Sequence, residues 1–403
     1  MATVSVDLPS CTQSTGSGFT HPGIYHDCNS LDRIQKQYSE GLEPFKTSFD
    51  MVVDRSDTPY LTSETWTSEG PFETVIFAGK DGHNIPLQDD GKAVYISTLG
   101  WYATGNSTWL SRALTTIRGW SSTLTYMNDH IQGAEGLGYM TAAAEILRAT
   151  SDFSGWGQND TDQYNSMIDS VIANTPWNAT NGPTRSNLFF NQGVYGNSGV
   201  MAVAVFAENA ELYNQMVKQT TECVSNNPNV DPGLPCQFLG PETGYNGQVK
   251  EMGRDQGHPL GSLRGLSYMG RTALLQKDFQ DAPNYFTLAE NRLAAAHEYH
   301  GQYNRLNFDY IPPYQETNAT QVQETKVTIW TELNSTARYQ NYTEGRSPVE
   351  AIGAGFYAFL KQGFKASDFG NYTIELQEQG EYGWDVFEFG DPDSYKELFN
   401  FTE

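Results

Sequence analysis

Three stretches of this chain concentrate side chains able to bind a ligand or move a proton. The first, FFNQGVYGNSG (residues 189–199), is polar and Gly-rich and runs into a strongly apolar segment. It reads as a loop with Asn191 and Gln192 at the mouth of a helix, where a carboxamide can meet a ligand or simply cap or turn the backbone. The second, ETGYNGQVKEMGRDQGHPLGSLRGL (242–266), packs Glu251, Arg254, Asp255, Gln256 and His258 into eight positions. A solvated loop can hold such a set, but histidine needs little perturbation to act as a base near neutrality. The third, AENRLAAAHEYHGQYNRLNFDYIPPY (289–314), puts Arg292, Ala295, Ala296, Tyr299 and Tyr303 on one stripe if it is helical. Two alanines there leave room for a sugar ring, or for close helix packing. His297 and His300 invite a metal, yet no carboxylate stands in register with them, so no metal site and no cofactor is read.

These stretches need a scaffold, and the surrounding sequence predicts helices. Leu31, Ile34, Tyr38 and Leu42 are spaced for one helical face starting at Ser30. Residues 52–90, rich in Thr, Ser, Gly and Pro, read as a segment wandering over the surface. Further helices are expected at 92–104, 108–126, 136–150, 161–174, 197–224, 258–276, 283–303 and 347–362, with Ser, Thr, Asp, Asn and Gly clustered between them. Helical pairs without a βαβ rhythm argue for an all-α architecture. A closed ring of helical hairpins, the (α/α) toroid, accommodates 403 residues as one domain, and no linker divides residues 90–365. The expected organisation is a single domain over 1–403, with an irregular N-terminal arm (1–30) and a C-terminal tail (366–403) packing on the toroid. The end of that tail, residues 374–403, carries nine Asp and Glu against Lys396 alone, and its YGWDVFEFG segment alternates like a short strand or ordered cap.

Composition excludes several partners. Lys and Arg number 24 against 48 Asp and Glu, a formal charge of −24, so the basic footprint of a nucleic-acid binder is missing. Attraction to anionic membranes is equally disfavoured, and no stretch approaches the ~20 apolar residues of a membrane span. Sequons at Asn106, Asn159, Asn178, Asn318, Asn334, Asn341, Asn371 and Asn400 suit a glycosylated, secreted chain. Four cysteines in two sequence-local pairs allow three pairings, of which Cys11–Cys28 with Cys223–Cys236 is favoured. The start, MATVSVDLPS, lacks an apolar core, which reads as a removed signal peptide with an added initiator Met.

Taken in order, NQGVYGNSGVMAVAVFAEN, EMGRDQGHPLG and ENRLAAAHEYHGQYN resemble three motif regions of the alginate lyase-like polysaccharide lyases, nearest to polysaccharide lyase family 38, which contains glucuronan and alginate lyases. DDGKAVYISTLGWYATGNSTWLSRALTTIRGWSS and GYMTAAAEILRAT resemble that superfamily's N-terminal helices, so the likeness spans roughly residues 85–365. The resemblance implies an (α/α) toroid, a metal-independent site and β-elimination on a polyuronate, an anionic polysaccharide. It implies that Asn191 hydrogen-bonds the uronate carboxylate, that His258 is the base or proton relay, and that Arg292 stands near the catalytic Tyr299. Two positions depart from the more distant alginate lyases: Gln192 where they have histidine, and Pro259 where they have tyrosine. The tyrosine assignment therefore keeps Tyr303 as runner-up, with Tyr195 and Tyr310 as further alternatives.

The residue types suit that reaction. A uronate C5–H is poorly acidic beside a charged carboxylate, and Asn191 with a cationic neighbour would spread the charge toward an enediolate. An unperturbed tyrosine, with a pKa near ~10, needs a neighbour such as Arg292 to act as base; as an acid it can protonate the departing O4. Gln192, Glu251, Arg254, Gln256 and Tyr303 are expected to bind neighbouring sugars, and Trp101, Trp177 and Tyr195 to stack on them. A basic cleft of Arg254, Arg264, Arg292 and Arg305 would offset the distant −24 field, which salt screens beyond roughly 8–10 Å. Two other readings compete: a glycoside hydrolase using Glu251 and Asp255, and a non-catalytic glycan-binding protein.

Overall fold

The computed structural model describes residues 8–43, 45–54, 67–77, 79–173, 190–224, 231–251, 257–278, 280–304, 317–323, 326–330 and 388. Asp27 opens the first helix with a capping box: its side chain accepts the Ser30 N–H (2.9 Å) while Ser30 Oγ accepts the Asp27 N–H (3.0 Å). That cap starts α1 at Cys28 (Cys28–Ser39), slightly before the expected Ser30. There follow α2 (Phe45–Asp54), α3 (Asn84–Thr104), α4 (Ser107–Thr123), α5 (Gln132–Ala149), the short α6 (Ser151–Ser154) and α7 (Gln158–Ala173). The later helices are α8 (Phe190–Phe206), α9 (Ala210–Thr221), the short α10 (Leu234–Gln237), α11 (Gly257–Gln276) and α12 (Leu288–Asn304). Strands among the described residues are short and pair two by two: β1 (Ser14–Gly16) antiparallel to β2 (Phe19–His21), β3 (Thr74–Ile76) parallel to β4 (Tyr126–Asn128), and β5 (Thr317–Gln323) antiparallel to β6 (Lys326–Trp330). The chain is all-α. Among the described residues, no helix is long and apolar enough to cross a membrane.

The chain divides into two compact units, residues 1–182 with 199–213 and 275–281, and residues 183–198 with 214–274 and 282–403. In the first, α3 and α5 pack backbone to backbone. A Cβ on Gly91 would lie 2.1 Å from Gly136 O, and one on Gly136 would lie 2.3 Å from Leu87 O. Both helices are buried on nearly every side, so neither backbone can retreat. Gly136→Ala is expected to cost about 2 kcal/mol or more, read as a fall in the thermal unfolding midpoint; an unchanged midpoint would mean that the two helices slide apart freely.

Two expectations for this unit need correction. Residues 1–30 are not merely an irregular arm: they carry the β1–β2 hairpin, whose Phe19 is fully buried, and the Cys11–Cys28 bridge. Residues 67–77 do run along the surface, nearly all of them exposed or half-buried, but they are fastened, and from Asn84 the chain is already α3. Ser68 Oγ (2.5 Å), the Gly70 N–H (3.1 Å) and Trp120 Nε1 (2.7 Å) all donate to Asp90 Oδ2. Burial raises the Asp90 pKa against these stabilising bonds. The carboxylate acts as the hub that fastens the segment, and composition alone does not reveal a buried hub.

Candidate functional site

The second unit holds the residues singled out from sequence. The stretch 189–199 is not a loop; from Phe190 onward it is the first half of α8. Its small residues are what helical packing uses: Gly261 and Gly265 of α11 sit directly against Tyr195 and Val194. Asn191, 4% exposed, lies in the first turn of α8. Its backbone N–H donates to Glu251 Oε2 (3.1 Å), and Glu251 is itself fully buried. An N–H in the first helical turn has no partner within the helix, so the carboxylate both caps α8 and fixes Asn191. The Asn191 side-chain oxygen is buried without a hydrogen-bond partner. A carboxamide can present either its oxygen or its NH₂ there, and a buried carboxamide the protein leaves unsatisfied is one a ligand can satisfy.

His258 stands on the first turn of α11, half-buried. Three residues on, and therefore on the same face, a Cβ at Gly261 would meet Tyr195 Oη at 2.3 Å. Glycine here gives the phenol its place. Arg264 Nη2 donates to Tyr195 Oη (3.1 Å), with the guanidinium carbon 5.6 Å from the ring centre. Tyr195 follows Asn191 by one turn of α8, so the α8 stripe of Asn191 and Tyr195 and the α11 stripe of His258 and Gly261 belong to one helix–helix contact. Arg264, assigned to a basic cleft from sequence, is a partner of that phenol.

Helix α12 supplies the third stretch and is helical as expected, but it opens through a left-handed turn: Ala289, Glu290 and Asn291 have φ of 50°, 60° and 61°. Three consecutive non-glycine residues in that region are strained, and they immediately precede Arg292. Arg292 Nη1 donates to Pro235 O (3.4 Å), Nη2 lies 3.7 Å from Glu242, and its buried Nε has no hydrogen-bond partner. Tyr299 is 4% exposed, one turn beyond Ala295, whose carbonyl would lie 2.1 Å from a Cβ on Gly247. His297 and His300 are fully buried. His297 Nδ1 is 2.7 Å from Leu293 O, a contact in which the ring nitrogen donates, and Nε2 is 3.5 Å from Ser267 Oγ. Burial lowers their pKa values to about 4 and about 3, so both are neutral at pH 7.

The structure thus brings Asn191 and Glu251 together, and Tyr195 with Arg264 beside the His258 turn. Gln192 is half-buried on α8. Arg254, Asp255, Gln256, Trp177, Arg305 and Tyr310 lie outside the described residues, as do the side chain of Tyr303 and the helix expected at 347–362. Trp101 is not a stacking platform: it is 3% exposed, edge-on to Tyr102 in the core. The pairing Cys11–Cys28 and Cys223–Cys236 holds, with Cα–Cα distances of 5.3 and 5.8 Å. Of the sequons, Asn106 is exposed at the cap of α4 and Asn159 is exposed in α7. Asn318 lies in β5, and the other five sequon asparagines are outside the described residues. In the acidic tail Glu388 alone is described; it is fully buried and accepts from Tyr268 Oη (3.1 Å). The first unit has a cavity of about 550 Å³ bordered by Arg148, Trp156, Asn165, Phe206 and Glu208 among others, and none of the sequence-derived site residues lines it.

Residues 78–231 match the family model described as alginate lyase. No curated protein matches the chain by sequence. Among solved structures, an alginate lyase from Bacteroides ovatus is similar at a TM-score of 0.59 and 13% identity, covering 92% of this chain and 99% of that one. Alginate lyase A1-III from Sphingomonas species A1 is similar at a TM-score of 0.49 and 13% identity, covering 83% and 87%. The Bacteroides likeness shows the fold, the (α/α) toroid expected from the hairpin pattern. The family match covers residues 78–231, and the Bacteroides likeness adds the fold alone.

Proposed function

We propose that this chain is a secreted, glycosylated lyase of a single catalytic domain, nearest to polysaccharide lyase family 38, that cleaves 4-linked polyuronate, glucuronan or alginate, by β-elimination. The observation that carries the reading is Asn191: a buried carboxamide, fixed through its backbone by Glu251 and left unsatisfied at its side chain, in the same helix contact as the turn bearing His258. Asn191 and Arg292 engage the C6 carboxylate and hold the enediolate charge as it forms. His258 takes the C5 proton. The electron pair of that C–H bond becomes the C4=C5 double bond as the C4–O4 bond breaks, and Tyr299 gives its proton to the departing O4. Gln192, Arg254, Gln256 and Tyr303 bind the flanking sugars. Glu251 is engaged by the Asn191 N–H, so its role in this scheme is to position Asn191.

The testing experiment follows ultraviolet absorbance during incubation with glucuronan, poly-mannuronate, poly-guluronate and a neutral glucan. A rise on a polyuronate and none on the glucan is expected, because the product carries a conjugated double bond. New reducing ends without unsaturation would mean hydrolysis, and binding without product would mean a glycan-binding protein. Turnover is also expected to survive EDTA unchanged; loss restored by Ca²⁺ would overturn the metal-independent scheme.

A further inference from the structure

The cavity of about 550 Å³ in the first unit takes no part in the scheme above, and its walls are firmly held. The last turn of α5 supplies Arg148, one stripe of α7 supplies Gln158, Thr161 and Asn165, and the turn between α8 and α9 supplies Glu208. Trp156, between α6 and α7, fixes the α7 side. Its backbone N–H donates to Ser154 Oγ (3.1 Å), its indole Nε1 donates to Thr161 Oγ1 (2.9 Å), and its ring packs edge-on to Tyr164. Asp160 accepts the Gly157 N–H (2.8 Å) and pairs with Arg118 (2.7 Å), so the first turn of α7 is held as well. At the opposite wall the Glu208 N–H donates to Val205 O (3.1 Å) and the Asn209 N–H to Ala204 O (2.8 Å). That is the Schellman pattern, whose left-handed position glycine usually fills; Glu208 occupies it at φ 55° and is strained there. A lining fixed in advance spares a ligand the cost of ordering it.

Two groups on this lining keep hydrogen-bonding capacity that the protein leaves unused. Asn165 is half-buried and its Oδ1 has no hydrogen-bond partner. Thr161 Oγ1 already accepts from Trp156, so its own proton is directed elsewhere, and no group among the described residues accepts it. Charge decides what can fill the space. Arg148 is the one cation on the lining, and it is engaged: Nη2 pairs with the fully buried Glu145 (2.5 Å) and Nη1 donates to Phe206 O (3.2 Å). Glu208, 32% exposed, is the one anion, and His21 stands between it (3.3 Å) and Glu145 (2.7 Å). Even with His21 protonated, two carboxylates face two cations and no positive charge is left over for an anionic ligand. An apolar ligand is equally ill served, because Trp156 and Phe206 are 4% and 1% exposed and offer no open ring face.

We propose that this cavity is a non-catalytic carbohydrate site that takes an uncharged, hydroxyl-rich sugar, with the Asn165 carboxamide and the Thr161 hydroxyl as its hydrogen-bonding contacts. Its volume falls within the roughly 300–1,000 Å³ of small-molecule sites. The occupant differs in charge from a polyuronate, and the site does not rest on the lyase reading.

The test has two arms on the full chain. In the first, cellotetraose and chitotetraose are the neutral probes and a tetra-uronate the charged one, titrated by calorimetry, with amide hydrogen exchange read by mass spectrometry on the same mixtures. At least one neutral probe is expected to bind and to slow exchange in peptides covering 156–165 and 206–208, and the tetra-uronate to leave those peptides unchanged. In the second, Asn165→Leu is expected to weaken binding of that probe about tenfold or more, while polyuronate turnover, measured separately, stays within about twofold of wild type. Thermal unfolding is the folding control, and if Asn165→Leu does not fold, the exchange footprint decides. Failure of both neutral probes to bind, protection confined to other peptides, or a folded Asn165→Leu that binds like wild type would overturn the site. So would protection of these peptides by the tetra-uronate alone, which would mean an anion site. A wild-type protein that binds a neutral probe here but cleaves no polyuronate would keep this site and sink the lyase reading instead.

Discussion

Turnover of polyuronate is expected to fall by about two to four orders of magnitude when His258 becomes alanine, with the far-ultraviolet spectrum and unfolding midpoint unchanged. The reasoning is partly one of elimination, because all seven histidines are described. His21 sits between Glu145 (2.7 Å) and Glu208 (3.3 Å), and His26 is buried against Ser30 and Tyr95. His83 stacks on Phe72 and His130 on Phe77, all in the first unit. His297 and His300 are sealed in the core and held neutral by it. His258 alone in the second unit is half-buried, which a proton acceptor requires: access to the substrate and restricted motion together. Tyr299→Phe is expected to abolish turnover as well, since phenylalanine keeps the packing and removes the proton that O4 must receive. A near-normal Tyr299→Phe would transfer the role to Tyr303, or to Tyr195, whose phenol is already gripped by Arg264. A near-normal His258→Ala would remove the base from the scheme altogether.

What could be read from sequence divides along physical lines. Where an apolar stripe recurs at helical spacing, the expected helix is there: 108–126 against Ser107–Thr123, 258–276 against Gly257–Gln276. Where helices are held by backbone contact rather than a stripe, the signal inverts. Gly193, Gly196 and Gly199 made the first half of α8 read as a loop, yet a Cβ on Gly199 would lie 2.1 Å from Ala134 O, so glycine there is a packing residue. The expected single helix over 197–224 is two, because Glu208 turns left-handed (φ 55°) between α8 and α9, and no glycine announces the break. For the site, residue types were legible and partnerships were not. Asn191 and Glu251 are sixty positions apart, and nothing local says that one caps the other.

Acidification between pH 6.5 and 5 is expected to destabilise this protein, against the direction its net charge would suggest. His297 and His300 have folded pKa values of about 4 and about 3, below the ordinary 6.5. In that window the unfolded chain binds protons at these rings and the folded chain does not, so stability rises with pH and is lost as pH falls. A single such histidine contributes a slope approaching about 1.4 kcal/mol per pH unit once below its unfolded pKa. Set against a typical total stability of about 5–15 kcal/mol, two of them bring unfolding within reach of mild acid. The formal charge of −24 acts oppositely, since protonating carboxylates relieves their repulsion, but most carboxylates titrate below pH 5. Thermal midpoints measured at half-unit steps from pH 7.5 to 5 therefore isolate the histidines. The wild-type midpoint is expected to fall through this range, and His300→Leu or His297→Gln to flatten the fall even where it lowers the midpoint at pH 7.5. A wild-type midpoint that stays level to pH 5 would mean that these rings accept protons in the folded state, and that α12 opens to water far more readily than its burial implies.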